Sequence, residues 1–132
     1  MMLWAQNCHV ASAAPQGSPE HLPMGGRLRE LYGDRAVSCG FVFQQGGFRA
    51  VGMAGKGVRP FTVGPSPGGS LDTTFAALGM PLFAIDLRHL PAGKVADWFA
   101  TPHVSRQIGG SYSEATPGVW LHRIRAARLT TC

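Results

Sequence analysis

The chain has 132 residues, the size of one domain or of part of one. Hydrophobic residues make up 45% of it, enough for a core, whereas charged residues make up only 14%, against about 25% in typical soluble domains. Such a low charged fraction suits a piece of a larger protein. The net charge of +5 comes from basic residues that are scattered except near the C-terminus, which argues against a nucleic-acid partner.

The three cysteines exclude a disulfide framework and a zinc cluster. Cys8, Cys39 and Cys132 are odd in number, and no Cys-x-x-Cys occurs. No stretch approaches the about 18 apolar residues of a membrane span, and the N-terminus lacks the pattern of a signal peptide. We therefore expect a cytoplasmic protein with reduced thiols and no membrane partner.

The first predicted element is a buried strand over residues 2–8, in which an apolar run ends in polar side chains. A loop rich in Ala, Ser, Pro and Gly follows over residues 11–23. Open α/β sheets bind ligands at the carboxyl ends of their strands. Asn7 and His9 would share one face of such a strand, so they are the candidate functional pair. The alternative is that His9 is a half-exposed residue bonded to backbone.

A helix is predicted over residues 24–33, with Met24, Leu28 and Leu31 on one apolar face and Gly33 suited to its end.

Next, the sequence predicts a β-hairpin. A strand over residues 36–44 and a turn at 44–47 lead into a return strand that begins at Phe48. The alternate aromatic residues of this hairpin are expected in the core. The Gly-rich segment 52–69 holds one short strand, over 59–63, and lacks a phosphate-binding motif because Gly57 follows Lys56.

Ser70 is a good N-cap for a helix that ends at Gly79. The continuous apolar run that follows, residues 80–88, predicts a strand of a parallel sheet buried on both faces. Asp86 and Arg88 would share a face at its end, either as a structural ion pair or as ligand contacts.

A short helix over 94–100 and a short strand or turn over 106–112 complete the predicted elements. The fold class expected is α/β, with a mixed, largely parallel sheet flanked by helices and an inserted β-hairpin, forming a partial domain.

Five segments, in order along residues 3–121, resemble the erythromycin esterase family, which includes proteins labelled succinoglycan-biosynthesis-like. Trp4-Ala-Gln-Asn-Cys-His9-Val10 is similar to its Trp-Ala-His-Asn-x-His-(Val/Ile) segment. The other matching segments are Met24-Gly25 with Leu28-Arg29, Gly40-Phe41-x-Phe43-x-x-Gly46-x-Phe48, Asp86-Leu87-Arg88, and Arg106-x-Ile108-Gly109-x-x-Tyr112.

The chain departs from the family in two ways. Gln6 stands where the family commonly has His, and the family domain is much longer, so residues 1–121 correspond to its C-terminal part. Residues 122–132 are a divergent basic tail. We therefore expect a fragment of a longer gene or a damaged reading frame.

The resemblance implies a hydrolase that cleaves a carboxylic ester or a macrolide lactone by His-activated water, without a cofactor, and so a role in antibiotic resistance or succinoglycan biosynthesis. His9 is implied as catalytic, and Asn7, His21 and Met24 as substrate-binding. The family's principal base and acidic residues belong to the part that precedes this segment. The alternative is a non-catalytic fragment or interaction domain that retains the fold.

Two other chemistries have little support in the sequence. A Ser-His-Asp triad, for instance His9 with Asp72 or Asp86, lacks the Gly-x-Ser-x-Gly turn. A metal site built from His9, His21 and His103 lacks ligand spacing, so no metal is predicted.

Overall fold

The computed structural model describes residues 1–12, 21–53, 55 and 57–125. In chain order the elements are α1 (Asn7–Val10), α2 (Met24–Tyr32), a 3₁₀ turn (Gly33–Arg35), β1 (Gly46–Gly52), β2 (Val58–Val63), α3 (Leu71–Ala76), α4 (Lys94–Ala100), β3 (His103–Arg106), β4 (Ser111–Tyr112), a second 3₁₀ turn (Pro117–Trp120) and β5 (Leu121–Ile124). The fold is thus mixed α/β, as the sequence predicts.

The chain divides into two units. Unit 1 comprises the described parts of Met1–Phe41, Phe83–His103 and Arg123–Cys132, and unit 2 comprises those of Val42–Leu82 and Val104–His122. Unit 1 contains α1, α2 and α4. Unit 2 contains α3 and a three-stranded sheet of order β2-β1-β4, while β3 and β5 form a two-stranded sheet.

The sheet of unit 2 is mixed. β1 and β2 are antiparallel neighbours in a hairpin that places Phe48 opposite Phe61, and β1 runs parallel to β4 with Gly52 opposite Tyr112. The ring of Tyr112 packs edge to face against two phenylalanine rings. Its centroid lies 5.0 Å from that of Phe48 and 5.1 Å from that of Phe61. These aromatic contacts, with buried Ala50, form the core of the unit.

The hairpin is not the one predicted. Residues 36–44 lie outside any strand, and the strand that begins at Gly46 pairs with Val58–Val63 instead. Phe43 and Phe48 pack against the core as expected, but Phe41 is 66% exposed. Apolar residues at every second position indicate an extended segment, but they do not specify which other segment it pairs with. Here β1 pairs with the strand that follows the glycine-rich connection.

Two predicted buried strands are also wrong for this chain. Residues 2–6 have no regular structure and Asn7 begins a helix, while residues 80–88 form no strand. A strand requires a neighbour for its backbone N–H and C=O groups, and no described segment pairs with either stretch. The sheet is accordingly not the largely parallel one predicted.

The predicted helices are confirmed as elements, but the expected apolar face of α2 is wrong. Leu31 is 73% exposed, and the buried residues of the helix are Gly25 and Gly26. The helix therefore packs through backbone contact. A Cβ at position 25 would lie 2.0 Å from the carbonyl oxygen of Val10 and 2.6 Å from that of Ala11. The end of α1 and the start of α2 can meet this closely because residue 25 has no side chain.

Gly25→Ala should therefore destabilise the chain by about 2–3 kcal/mol, the upper part of the range for overpacking, although Ala favours helix formation over Gly. Chemical denaturation measures the loss. Gly64→Ala is the matched control, because a Cβ at position 64 meets no atom within 4 Å. Equal effects of the two substitutions would contradict the close backbone approach.

A buried carboxylate organises unit 2. Ser70 caps α3 by accepting from the N–H of Thr73 at 3.2 Å, as the sequence predicts, and Asp72 follows in the first turn at only 2% exposure. The carboxylate of Asp72 accepts hydrogen bonds from the hydroxyl of Ser66 at 2.9 Å, the hydroxyl of Ser105 at 2.7 Å and the N–H of Arg106 at 2.8 Å. One side chain thus joins the loop before α3, the helix and β3.

Asp72→Ala should destabilise the chain by about 3 kcal/mol or more, because it strands buried donors that the carboxylate satisfies. Thermal or urea unfolding of the purified chain measures the change. Asp97→Ala, which removes an exposed carboxylate from the first turn of α4, should cost less than about 1 kcal/mol. A cost for Asp72→Ala as small as that of this control would show that the three donors find other partners.

Candidate functional site

The first two residues predicted to form the site, Asn7 and His9, lie in α1. The carbonyl oxygen of Gln6 accepts hydrogen bonds from the N–H groups of His9 at 2.9 Å and Val10 at 3.2 Å, which closes this helical turn. Residues two apart on a helix are rotated by about 200°, so Asn7 and His9 do not share a face as they would on a strand. The side chain of His9 is exposed, whereas that of Asn7 is half-buried.

Asn7 has a structural role that the sequence did not indicate. Its Nδ2 donates to the carbonyl oxygen of Phe41 at 2.7 Å, and its Oδ1 accepts from the N–H of Phe41 at 3.0 Å. The side-chain amide thereby pairs with the backbone as a neighbouring strand would. This pair anchors α1, and hence His9, to a segment 34 residues further along the chain.

The other two predicted contacts lie near the start of α2. Met24 is its first residue and is partly exposed, and His21 is exposed three residues earlier. The approach of Gly25 to Val10 brings this end of α2 against the end of α1. The elements that carry His9 and Met24 are therefore in contact within unit 1. Residues 13–20, the middle of the predicted loop, lie outside the described residues.

Asp86 and Arg88 form an ion pair on the surface of unit 1. The Nε of Arg88 lies 2.9 Å and 3.1 Å from the two carboxylate oxygens, and the N–H of Arg88 donates to Oδ1 at 3.0 Å. The hydrogen bonds from the Arg88 side chain and backbone hold the pKa of Asp86 well below its usual range, and Asp86 raises that of Arg88. The sequence left two interpretations of Asp86 and Arg88 open, an ion pair or ligand contacts, and the structure shows the ion pair.

His103 is held by the end of α4. Its ring stacks on that of Trp98, with the two centroids 4.0 Å apart. Its Nε2 lies 2.7 Å from the carbonyl oxygen of Trp98 and 3.0 Å from the hydroxyl oxygen of Thr101. The ring therefore stabilises the last turn of the helix. Among the described residues no group of three or more His, Cys, Asp or Glu side chains could hold a metal ion. None of the described helices is long and apolar enough to cross a membrane.

The erythromycin esterase family model matches residues 1–129. The chain belongs to the erythromycin esterase family. This match spans the helices and strands described above together with the segment that carries Asn7 and His9. It confirms the family that the ordered motifs indicate.

Two solved structures have the fold of this erythromycin esterase family chain. A protein from Bacillus cereus superposes with a TM-score of 0.75 at 23% identity, over 92% of this chain and 29% of its own. A succinoglycan biosynthesis protein superposes with a TM-score of 0.77, also at 23% identity, over 96% of this chain and 30% of its own. The chain thus spans less than a third of the length of either protein. No curated protein matches it.

Asn7→Ala should speed hydrogen exchange of the Phe41 amide by about tenfold or more, because two hydrogen bonds of about 1 kcal/mol each are lost. Amide exchange followed by NMR measures this residue directly. Gln6→Ala, at the exposed neighbouring position, should leave the Phe41 amide unchanged. If the amide exchanges equally fast in both variants, Asn7 does not anchor this segment.

Proposed function

We propose that the chain supplies part of the active site of a hydrolase that cleaves a carboxylic ester or a macrolide lactone, with His9 as the catalytic histidine. The observation that carries the proposal is the placement of His9 within a family segment. Its imidazole is exposed, and the short helix beneath it is anchored on two sides, by Asn7 to Phe41 and by Val10 to Gly25. An accessible side chain on a fixed backbone can orient a water molecule or a substrate carbonyl.

Ester hydrolysis needs a group that takes a proton from water as the water attacks the carbonyl carbon. It also needs donors for the negative charge that develops on the carbonyl oxygen. A neutral imidazole can take that proton near neutral pH, and a protonated one can donate to the oxygen. His9 would position the attacking water or the substrate carbonyl, while the principal base belongs to the part of the fold that this chain does not span. Met24, on the helix that contacts α1, and His21, three residues before it, would bind the substrate.

In this proposal Asn7 acts through its position. Both polar atoms of its amide are engaged by the backbone of Phe41, so Asn7 holds α1 in place. The predicted substrate contact through Asn7 stays a prediction beside this positioning role. The remaining groups, including the principal base and the acidic residues that the family resemblance implies, would come from the portion of the fold that this chain does not span.

A second candidate is a non-catalytic member that keeps the fold. The observation that favours it is Gln6, which stands where the family commonly has His. Its side chain is exposed, and its Oε1 accepts from the thiol of Cys8 at 3.8 Å. Glutamine has no titratable group, so it cannot transfer protons as histidine does.

Joined to the rest of an erythromycin esterase family fold, the chain should hydrolyse a p-nitrophenyl ester or erythromycin, and His9→Ala should reduce kcat/KM by about 100-fold or more, as loss of a catalytic group does. His89→Ala, which removes another exposed histidine, should have no effect. Release of p-nitrophenol and mass spectrometry of the opened lactone are the measurements.

Three outcomes separate the two candidate functions. Turnover lost in His9→Ala and kept in His89→Ala supports the hydrolase. Turnover that survives His9→Ala contradicts the role of His9. A stably folded protein that joins the chain to the rest of the family fold and shows no turnover, in which Gln6→His also restores none, supports the non-catalytic candidate.

A further inference from the structure

The ion pair of Asp86 and Arg88 differs in geometry from the other ion pairs of the described residues. In each of the others, one terminal guanidinium nitrogen contacts one carboxylate oxygen. These pairs are Arg27–Glu30, Arg29–Asp34 and Arg59–Glu114. Arg88 instead donates from Nε and Nη2 to the two carboxylate oxygens of Asp86, and its backbone N–H donates to Oδ1 as well. Several contacts therefore fix the orientation of this pair.

One edge of the Arg88 guanidinium remains open. An arginine side chain has five N–H donors in a planar fork. Two of them, on Nε and Nη2, point at Asp86, so three remain, two on Nη1 and one on Nη2. None of these three makes a hydrogen bond within the part of the chain that the structure describes. The side chains of Arg88 and Asp86 are 50% and 51% exposed, so the open edge is accessible from solvent.

The pair carries no net charge. Hydrogen bonds from the side chain and the backbone N–H of Arg88 hold the pKa of Asp86 well below its usual range, and the hydrogen bond to Asp86 raises the pKa of Arg88. Both groups are therefore ionised at physiological pH. Asp86 would repel an anion and Arg88 would repel a cation. A neutral polar ligand fits the pair better than either.

The hydrogen-bonding groups of the pair match two adjacent hydroxyl groups. A hydroxyl group donates one hydrogen bond and accepts up to two. Nη1 and Nη2 lie side by side and can donate to two hydroxyl oxygens, while the Asp86 carboxylate has lone pairs left to accept from a hydroxyl proton. Since Asp86 already holds the guanidinium in place, little side-chain entropy would be lost on binding.

We propose that Asp86 and Arg88 bind a neutral ligand with adjacent hydroxyl groups, which is the chemistry of a sugar or another polyol. The open edge of the guanidinium donates to two hydroxyl oxygens. Asp86 accepts from a hydroxyl proton and also fixes the guanidinium. The proposal concerns binding alone and needs no turnover, so it does not depend on hydrolysis at His9.

An NMR titration of the full chain tests the proposal. Methyl β-D-glucoside is the neutral probe with adjacent hydroxyl groups, cyclohexanol is the probe with a single hydroxyl group, and inorganic phosphate is the anion. The glucoside should shift the Nε–H resonance of Arg88 and the amide of Leu87, and saturate with a Kd of about 1–10 mM. Cyclohexanol and phosphate should shift these resonances little.

Substitutions assign the contacts, with the Leu87 amide as the reporter. Arg88→Lys keeps the charge without the planar fork, and Asp86→Asn removes the carboxylate that fixes the guanidinium. Each should weaken glucoside binding by about tenfold or more. Glu30→Gln, which breaks another exposed ion pair, is the control and should leave the Kd unchanged. Both substituted positions of the pair are half-exposed, so the variants should fold, and the amide spectrum of the hairpin over 46–63 checks this.

Four other results overturn the proposal. Absence of a saturable shift with the glucoside would show that the pair binds no polyol, and an equal shift with cyclohexanol would show that adjacent hydroxyl groups are not recognised. Phosphate binding that is tighter than glucoside binding, and is kept in Arg88→Lys, would assign Arg88 to an anion. Glucoside binding that survives both Arg88→Lys and Asp86→Asn, or that Glu30→Gln weakens equally, would place the ligand elsewhere on the chain.

Discussion

The hydrogen-bonding requirement of extended backbone governs this structure. An α-helix satisfies its own N–H and C=O groups, whereas a strand must find a neighbour. Where the chain provides one, as for β1 beside β2 and β4, a sheet forms with an aromatic core. Where no described segment provides one, at residues 2–6 and 80–88, apolar stretches remain without a strand partner. The side-chain amide of Asn7 supplies a substitute neighbour for Phe41.

The same requirement explains which parts of the fold the sequence predicts. The predicted helices, including the cap at Ser70 and the helix over 94–100, depend on residues within a few positions, and all are present. Strand partners depend on segments distant in sequence, so the hairpin predicted at 36–44 has moved to Gly46–Val63. The close contact of Gly25 with Val10 likewise depends on two segments that the motif alone does not bring together.

The candidate site was predictable in part. The family segment places His9 at an exposed position, but its secondary structure is a helical turn. The engagement of Asn7 with a backbone 34 residues away has no local sequence signal. The network around Asp72 also has no local sequence signal. An acidic residue in the first turn of a helix is commonly exposed to solvent and interacts with the helix dipole. Asp72 is a buried acceptor because Ser66, Ser105 and the backbone N–H of Arg106 donate to it, and two of these residues are distant in sequence.

That acceptor also affects how unit 2 comes apart. A loop, a helix and a strand converge on a single carboxylate, so none of them can detach without exposing the polar contacts of the other two. Partial opening of any one element therefore breaks hydrogen bonds to this buried carboxylate. The polar network thus couples the opening of the loop, the helix and the strand in a unit whose hydrophobic core is small.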